Sequence, residues 1–332
     1  MLNRIKKWIK SKPLLAIPFV LIQKILPGYF LYRELVKRYG VHTAIFRTAW
    51  NGTGDYYICG MYLREYLKQN NISDYVFLVK SSGSERKVTD LFAVYQGHIA
   101  PIPSVDALSR FSEFMRQPEP LCRSFEKSDQ LSFIGEYLKG YRGLSLMDFY
   151  LWYGFEFPKV PLRDEPRFSQ DMEKIRGTMM QMGLTCGKTV ILSPYSTCSK
   201  EYLPPEEVWE EIAIQLKRRG YTVATNCSKK DKPIKGTVPV FIPYPDTVPF
   251  LNEAGGFVGV RSGLCDILSQ STCKKIIIYP EKSDFWPSGT AKEFVGLHSM
   301  GLEQRSEELD YCNSVENFSK RILQLVDRWR LV

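Results

Sequence analysis

Residues 188–225, KTVILSPYSTCSKEYLPPEEVWEEIAIQLKRRGYTVAT, contain two apolar runs separated by an amphipathic stretch. The runs 188–194 and 221–225 are typical of buried strands, because branched apolar residues follow one another in each of them. Residues 204–220 begin with proline, carry acids in the first turn and bases in the last, and end at Gly220. These are helix start and stop signals, so the stretch predicts a strand–helix–strand unit of a parallel sheet.

The same alternation continues to the end of the chain. Strands are predicted over residues 238–242, 257–260 and 275–279, and helices over 262–271 and 315–328. Another short helix is predicted to be capped by Asp246 and ended by Gly255 and Gly256. Pro239 has no backbone N–H to donate, so its strand is predicted at an edge of the sheet.

The first half of the chain shows a weaker form of this pattern. Strands are predicted over residues 41–49, 74–80 and 98–103, with helical stretches over 57–68, 88–95 and much of 106–160. Prolines 158, 161 and 166 predict a linker around residues 163–165. We therefore expect an α/β fold of two Rossmann-like domains, residues 41–165 and 166–332. They would face each other across a cleft that binds ligand at the carboxyl ends of the strands.

Composition narrows the class of protein. The eight cysteines are scattered and form no C-x-x-C pair, as expected of reduced thiols in the cytoplasm. The three histidines lie far apart in sequence, which argues against a zinc site. The net charge of the chain is +9, but residues 1–40 hold nine Lys and Arg against one acid. The remaining chain is nearly neutral, whereas a nucleic-acid-binding protein would spread basic residues over a folded face. We therefore expect no nucleic-acid partner.

Residues 1–40 form a basic and apolar segment ahead of the predicted domains. Prolines interrupt its apolar run, which is well short of the ~20 residues that a membrane-spanning helix needs. No small-residue cleavage site follows this run, which argues against a signal peptide. We predict that residues 1–38 form a monotopic anchor, with apolar side chains in the membrane interface and lysines on anionic headgroups. The alternative is an ordinary first helix packed on the body.

Arg261, Ser262 and Gly263 fall at a junction between a predicted strand and a predicted helix. Backbone N–H groups at such a helix start attract an anion, and Gly263 permits close backbone approach. The guanidinium of Arg261 would hold two phosphate oxygens, so a diphosphate is the expected ligand. The alternative is that Ser262 only caps the helix while Arg261 pairs with a surface acid.

Two further groups follow strands of the second half. The loop 193–197 contains Tyr195 and Ser196 and leads to Lys200, so its hydroxyls and that lysine would reach the same phosphates. Asn226 ends the next strand, where the ribose or base of a nucleotide is expected. An ordinary polar loop is the competing interpretation of residues 193–197.

Gly52, Thr53, Gly54 and Asp55 occupy the first strand-to-helix turn of the first half. The glycines keep side chains out of the cleft, and the carboxylate of Asp55 would project into it and take a proton from an acceptor hydroxyl. Asp55 equally suits the N-cap of the following helix. No D-x-D sequence occurs, so the aspartates of a metal-dependent sugar transferase are missing, and we expect no metal and no cofactor.

At these positions the chain resembles the heptosyltransferase family and, more closely, the glycosyltransferases of bacterial capsule and exopolysaccharide clusters. Gly54 and Asp55 match the Gly-Asp pair that follows the first strand of the family. The family's Lys-x-Trp-Pro motif is approximated by Lys200, Tyr202 and Pro204, with tyrosine for tryptophan and one residue inserted.

The late motif of the family is Asp-Ser-Gly followed by His. Ser262 and Gly263 match it, with Arg261 in place of the aspartate and Asp266 in place of the histidine. The Arg-Ser-Gly-Leu-Cys-Asp form resembles the polysaccharide-cluster enzymes, and the resemblance covers roughly residues 42–300.

This resemblance implies a cytoplasmic GT-B-type glycosyltransferase, peripheral on the inner face of the cell membrane. It would move a sugar from a nucleotide-diphosphate donor to a lipid-linked or growing glycan of a capsule, exopolysaccharide or cell-wall polysaccharide. Asp55 would be the general base. Lys200, Arg261 and the helix start at Ser262 would stabilise the departing diphosphate in place of a metal.

The sequence also suits two other functions, and one of its aromatic segments has two interpretations. A polysaccharide pyruvyltransferase, which uses phosphoenolpyruvate, can share this two-domain shape. A non-catalytic membrane-associated binding protein can share it as well, because fold alone does not imply activity. The aromatic stretch 149–157 suits either a buried core or a surface that stacks on sugars.

Overall fold

A computed structural model describes residues 21–48, 52–80, 88–92, 97–100, 102–115, 123–124, 144–196, 203–228, 230–280, 290–303, 305–311 and 315–329. Two parallel sheets follow one another along the chain, each with helices on both faces. The predicted α/β fold of two Rossmann-like halves is confirmed.

The first sheet has four parallel strands in the order β3-β2-β1-β4. They are β1 Ala44–Arg47, β2 Tyr75–Lys80, β3 Gly97–Ala100 and β4 Arg123–Ser124. Its helices are α1 Leu26–Tyr39, α2 Thr53–Gln69 and α3 Ile102–Met115. Alternate strand residues face opposite layers: Phe46 and Phe77 pack with α2, whereas Ile45 and Val76 pack with α1 and α3.

The second sheet has six parallel strands in the order β10-β9-β8-β5-β6-β7. They are β5 Thr189–Ser193, β6 Thr222–Asn226, β7 Val238–Val240, β8 Gly255–Val260, β9 Lys274–Tyr279 and β10 Glu307–Asp310. This is the doubly wound order, in which the chain reverses direction across the sheet between β5 and β8. Ligands of such sheets collect at that reversal point, beyond the carboxyl ends of the two strands.

Seven further helices complete the described part of the chain. They are α4 Leu146–Asp148, α5 Met172–Gln181, α6 Glu206–Arg218, α7 Tyr244–Ala254, α8 Gly263–Leu268, α9 Ala291–Val295 and α10 Val315–Val326. A π-helix, Phe149–Gly154, continues directly from α4. The predicted apolar face of α6 is buried at every position, with Trp209 at its centre.

Three predicted details have a clear outcome. β7 lies at the edge of the sheet, as Pro239 requires. Gly255 ends α7 with φ of +103°, a conformation that side chains disfavour. The cap at Asp246 was wrong: α7 begins at Tyr244 after Pro243, and Asp246 lies in the first turn, 3.3 Å from the Lys174 ammonium. The prolines at 243 and 245 place this helix start three residues earlier than the acid suggested.

Part of the N-terminal segment is a packed helix of the body. Leu31 and Leu35 of α1 are buried against Val105 and Leu108 of α3. A methyl group at Gly28 would overlap the Ala107 carbonyl, so the two helix backbones lie close together. Helix α1 therefore belongs to the layers of the first sheet, ahead of the predicted boundary at residue 41. Residues 1–20 lie outside the described residues, and membrane contact stays a prediction.

The predicted linker carries no helix or strand between residues 156 and 171. Its backbone is tied to both halves: the Asp164 N–H donates to Met61 of α2 over 2.7 Å, and the Ser169 N–H donates to Pro245 of α7 over 2.8 Å. Within the described residues, every helix is too short or too polar to cross a membrane.

Candidate functional site between the two halves

The two halves touch where α2 of the first half begins beside α8 of the second. A Cβ atom at Gly54 would overlap the Asp266 carboxylate, and one at Gly263 would overlap the Gly54 nitrogen. Next to this contact, the hydroxyls of Thr53 and Tyr244 lie 3.3 Å apart. The two glycines thus permit a backbone approach that brings the predicted acceptor-side turn against the predicted phosphate-binding motif.

Asp55 lies in this contact and is buried, with 8% of its surface exposed. Its Oδ2 accepts the Gly52 N–H over 2.9 Å, and its Oδ1 accepts the Tyr150 hydroxyl over 2.7 Å. Gly52 is the N-cap, and Asp55 reaches back to it from the third helical position, as in a capping box. The carboxylate therefore does stabilise the start of α2, although Asp55 is not the capping residue itself.

The environment of Asp55 changes its acidity. Burial, with a smaller contribution from the nearby Asp266, raises the pKa of this carboxyl from its usual value of 3.8 to about 6. The hydrogen bonds from Tyr150 and Gly52 act in the opposite direction, because they favour the charged carboxylate. A carboxyl with a pKa of about 6 is ionised at neutral pH and still a usable proton acceptor.

Sequence reasoning missed Tyr150. It lies in the π-helix 149–154 and is fully buried, with its hydroxyl against Asp55. The aromatic stretch 149–157 is core at Phe149, Phe155 and Phe157 as well. Because 95 residues separate Tyr150 from Asp55, no local pattern in the sequence could have indicated the pair.

Arg261 and Asp266 form a buried ion pair. The Arg261 Nη2 lies 2.6 Å from Asp266 Oδ1, and the two side chains are 8% and 2% exposed. The Arg261 Nε also donates to the Val295 carbonyl over 2.7 Å, at the end of α9. The alternative prediction, that Arg261 pairs with a surface acid, was wrong, because its partner Asp266 is buried. The guanidinium is committed to protein groups in this structure, and its phosphate-binding role stays a prediction.

Ser262 is the N-cap residue of α8, but its hydroxyl makes no capping hydrogen bond to the backbone. The helix is shorter than predicted, with six residues, Gly263–Leu268. Gly263 does permit a close backbone approach, and its neighbour is Gly54 of the first half. The sequence predicted a close approach of a phosphate at Gly263; the structure shows a close approach of Gly54, and phosphate binding here stays a prediction.

The donor-side residues lie at the ends of β5 and β6. Asn226 Nδ2 donates to the Ser193 hydroxyl over 3.3 Å, which joins the carboxyl ends of these neighbouring strands. Tyr195 is partly exposed and donates its hydroxyl to the Lys232 carbonyl, and Ser196 is half-buried. Lys200 lies outside the described residues.

The motif Arg261–Gly263 and the residues at the ends of β5 and β6 lie at the same edge of the second sheet. Ser193 at the end of β5 is paired with Gly259 of β8, and Arg261 follows β8 directly. The ends of β5 and β8 are the reversal point of the sheet, where ligands of this fold class bind. Among the described residues, no cluster of three or more His, Cys, Asp or Glu side chains forms a metal-binding group.

Comparison with known proteins identifies the fold. No family model matches the chain, and no curated protein matches its sequence. The ADP-heptose LPS heptosyltransferase II of E. coli superposes with a TM-score of 0.56 at 14% identity, over 86% of this chain and 98% of that one. The glycosyl transferase family 9 protein of Veillonella parvula superposes with a TM-score of 0.51 at 11% identity, over 87% and 92%. The chain thus has the GT-B-type fold of heptosyltransferase-like glycosyltransferases, as its motifs predicted.

Proposed function

We propose that this protein is a glycosyltransferase that moves a sugar from a nucleotide-diphosphate donor to a hydroxyl of a surface glycan. The observation that carries the proposal is the buried Asp55 carboxylate, which follows Gly54, the residue that contacts the start of α8 at the junction of two Rossmann-like halves. Structural neighbours named heptosyltransferase and glycosyl transferase support this class of reaction.

In the proposed reaction, Asp55 is the general base. The acceptor hydroxyl oxygen attacks the anomeric carbon, the bond from that carbon to the diphosphate oxygen breaks, and the hydroxyl proton passes to Asp55. The nucleoside diphosphate leaves with the bonding electrons. Because the pKa of Asp55 is about 6, the carboxylate is ionised at neutral pH. Its pKa also lies near the working pH, where a general base is most effective.

The departing diphosphate needs positive charge and hydrogen-bond donors. We assign this role to Lys200, Arg261 and the backbone at Ser262 and Gly263, without a metal ion or another cofactor. Because Arg261 is paired with Asp266, a bound diphosphate would have to compete with that carboxylate or bind beside the pair. The ends of β5 and β6 lie on the same edge of the sheet. There we assign Tyr195, Ser196, Asn226 and Asp266 to the donor nucleotide.

The acceptor is proposed to be a lipid-linked or growing glycan of a capsule, exopolysaccharide or cell-wall polysaccharide. The protein would then work on the cytoplasmic face of the cell membrane and contact it through residues 1–38. The nine basic residues against one acid in residues 1–40 support this location.

The first test measures thermal unfolding with UDP, GDP, dTDP, ADP, CMP and phosphoenolpyruvate, all without metal. Binding stabilises the native state by about 2.7 kcal/mol at about a hundredfold excess of ligand over Kd, so one diphosphate is expected to raise the midpoint. Asn226→Ala is expected to abolish this shift, whereas Asp55→Asn is expected to retain it and to lose transfer activity.

Other outcomes would redirect the assignment. A shift with phosphoenolpyruvate alone would indicate a polysaccharide pyruvyltransferase. No shift with any compound would leave a non-catalytic binding protein as the better description. Full transfer activity in Asp55→Asn would reject the proposed base.

A further inference from the structure

Helix α1 and the π-helix Leu21–Ile25 that precedes it expose an apolar stripe to solvent. Ile22, Leu26 and Phe30 are spaced four residues apart, and they are 61%, 40% and 61% exposed. On the opposite side of the same helix, Leu31 and Leu35 are buried against α3 and the sheet. The body of the protein therefore holds α1 in place with an apolar face turned outward.

The stripe borders a groove of about 540 Å³, which is in the size range of small-molecule and lipid pockets. Its apolar walls include Ile22, Leu26, Pro27 and Phe30. Glu34 of α1, His98 and Ala100 of β3, and Ser104 of α3 also line it. Ala100 is the last residue of β3, so the groove opens at the carboxyl edge of the first sheet. The helix α2 that carries Asp55 starts from that same edge.

Two polar side chains of the groove, His98 and Glu34, lie close enough to interact with each other. The His98 Nδ1 lies 3.1 Å from the Tyr39 hydroxyl, and its Nε2 lies 3.5 Å from a Glu34 carboxylate oxygen. Burial lowers the pKa of His98, so the imidazole is neutral at physiological pH. A neutral, internally bonded histidine among apolar walls suits a hydrocarbon ligand better than a charged one.

Positive charge continues the stripe toward the other end of α1. Arg33 and Lys37 follow Phe30 by three and seven residues, which places them on the same face of the helix, and both are exposed. Glu34 follows Phe30 by four residues and pairs with His98. Along about 21 Å of helix, the face therefore changes from apolar at the first turns to charged at the last turns, where Arg33 and Lys37 are its cations. A bilayer has the matching order, with hydrocarbon inside and anionic phosphates at the surface.

We propose that this face docks obliquely into an anionic phospholipid bilayer. The first turns of α1 enter the acyl region, a lipid chain occupies the groove, and Arg33 and Lys37 meet lipid phosphates. The inference rests on the proposed membrane location and deepens it, because it assigns the contact to a folded helix of the body. It also directs the carboxyl edge of the first sheet, and hence the start of α2, toward the membrane that would carry the acceptor.

The test measures sedimentation of the full chain with vesicles of phosphatidylcholine and phosphatidylglycerol, and with vesicles of phosphatidylcholine alone. Phe30→Asp is expected to lower binding to the mixed vesicles about tenfold or more, because it places a charge where an aromatic ring would be buried. Ile214→Asp is the matched control, since Ile214 is an exposed residue of α6 in the other half, and it is expected to bind like the wild type.

The charged part of the face has its own pair of variants. Arg33→Glu with Lys37→Glu is expected to weaken binding to the mixed vesicles severalfold, and added salt is expected to reduce the difference. The control, Arg218→Glu with Arg321→Glu, makes the same charge change at exposed positions of α6 and α10. Equal losses in both double variants would indicate general charge attraction and would overturn the assigned face.

The remaining outcomes separate this inference from the proposals before it. Wild-type binding that Phe30→Asp leaves unchanged would overturn docking through α1 and leave membrane contact to other residues. No binding of the wild type to mixed vesicles would overturn both the docking face and the membrane location.

Transfer to a water-soluble acceptor tests the enzyme separately, and Phe30→Asp is expected to retain it. If Phe30→Asp lowers the unfolding midpoint, Leu26→Ser replaces it as the apolar variant.

Discussion

Tyr150, a buried residue of the core, donates a hydrogen bond to Asp55, the candidate general base, and so affects its pKa. The hydroxyl stabilises the charged carboxylate and so opposes the effect of burial. Asp266, which is paired with Arg261, also acts on this carboxylate, and its negative charge raises the pKa of Asp55. Tyr150 therefore positions Asp55 and helps to keep it ionised.

Tyr150→Phe is expected to raise the pKa of Asp55 above its value of about 6. Activity that needs ionised Asp55 falls as the pH drops below that pKa, so the acidic limb of kcat/KM should move upward by about one pH unit. The measurement is the pH profile of kcat/KM for the variant and the wild type. Tyr62→Phe is the control, because the Tyr62 hydroxyl bonds Arg163 and not Asp55. An unmoved acidic limb in Tyr150→Phe would contradict the positioning role.

The candidate site was predictable as a set of positions but not as a set of contacts. The glycines and Asp55 could be found because a strand-to-helix turn has a recognisable composition. Asp266 lies only five residues after Arg261, but the pair forms because both side chains are buried at the strand-to-helix junction, which the sequence motif does not show. The roles assigned to Arg261 and to the donor loop remain predictions.

At the scale of elements, the strongest periodic signals were the most reliable. Helix α6 was predicted almost residue for residue, because its capping signals and its apolar face agree. Strand β10 and helix α9 were not predicted: β10 has the sequence EELD, and three acids in four residues give no strand signal. Its position at the edge of the sheet explains why a polar strand is tolerated.

The packing of α1 on α3 leads to a prediction at the same scale. Gly28→Ala is expected to lower the free energy of unfolding by about 1–3 kcal/mol, because its methyl group would meet the backbone of Ala107 and Leu108. Gly177→Ala in α5 is the matched control: nothing lies within 4 Å of an added Cβ there. The control should gain about 0.5–1 kcal/mol, since alanine favours a helix interior over glycine.

Denaturant unfolding of both variants checks this pair of expectations. An unchanged stability in Gly28→Ala would mean that α1 moves away from α3 without loss. Such a result would weaken the case that α1 is held rigidly enough to present its apolar stripe.

At the scale of the whole molecule, the two sheets behave as parts of one core. A single cluster of buried apolar side chains includes Tyr57 and Met61 of α2 together with Ile267 and Leu268 of α8. The linker adds backbone hydrogen bonds to both halves. Apolar burial that crosses between domains couples their unfolding, because neither half can unfold without exposing the surface of the other.

We therefore expect the wild-type protein to unfold in one calorimetric transition. In Gly263→Ala, the added methyl group would overlap the Gly54 nitrogen and the Thr53 Cβ, so the two halves must move apart. The shared surface would be partly lost, and the transition should broaden or divide into two at lower temperature. Gly177→Ala carries the same chemical change far from this contact and should keep a single transition.

Two separate transitions in the wild type would show that the halves fold independently. In that case the contact of α2 with α8 would be one arrangement among several, and the burial of Asp55 would vary as the halves move.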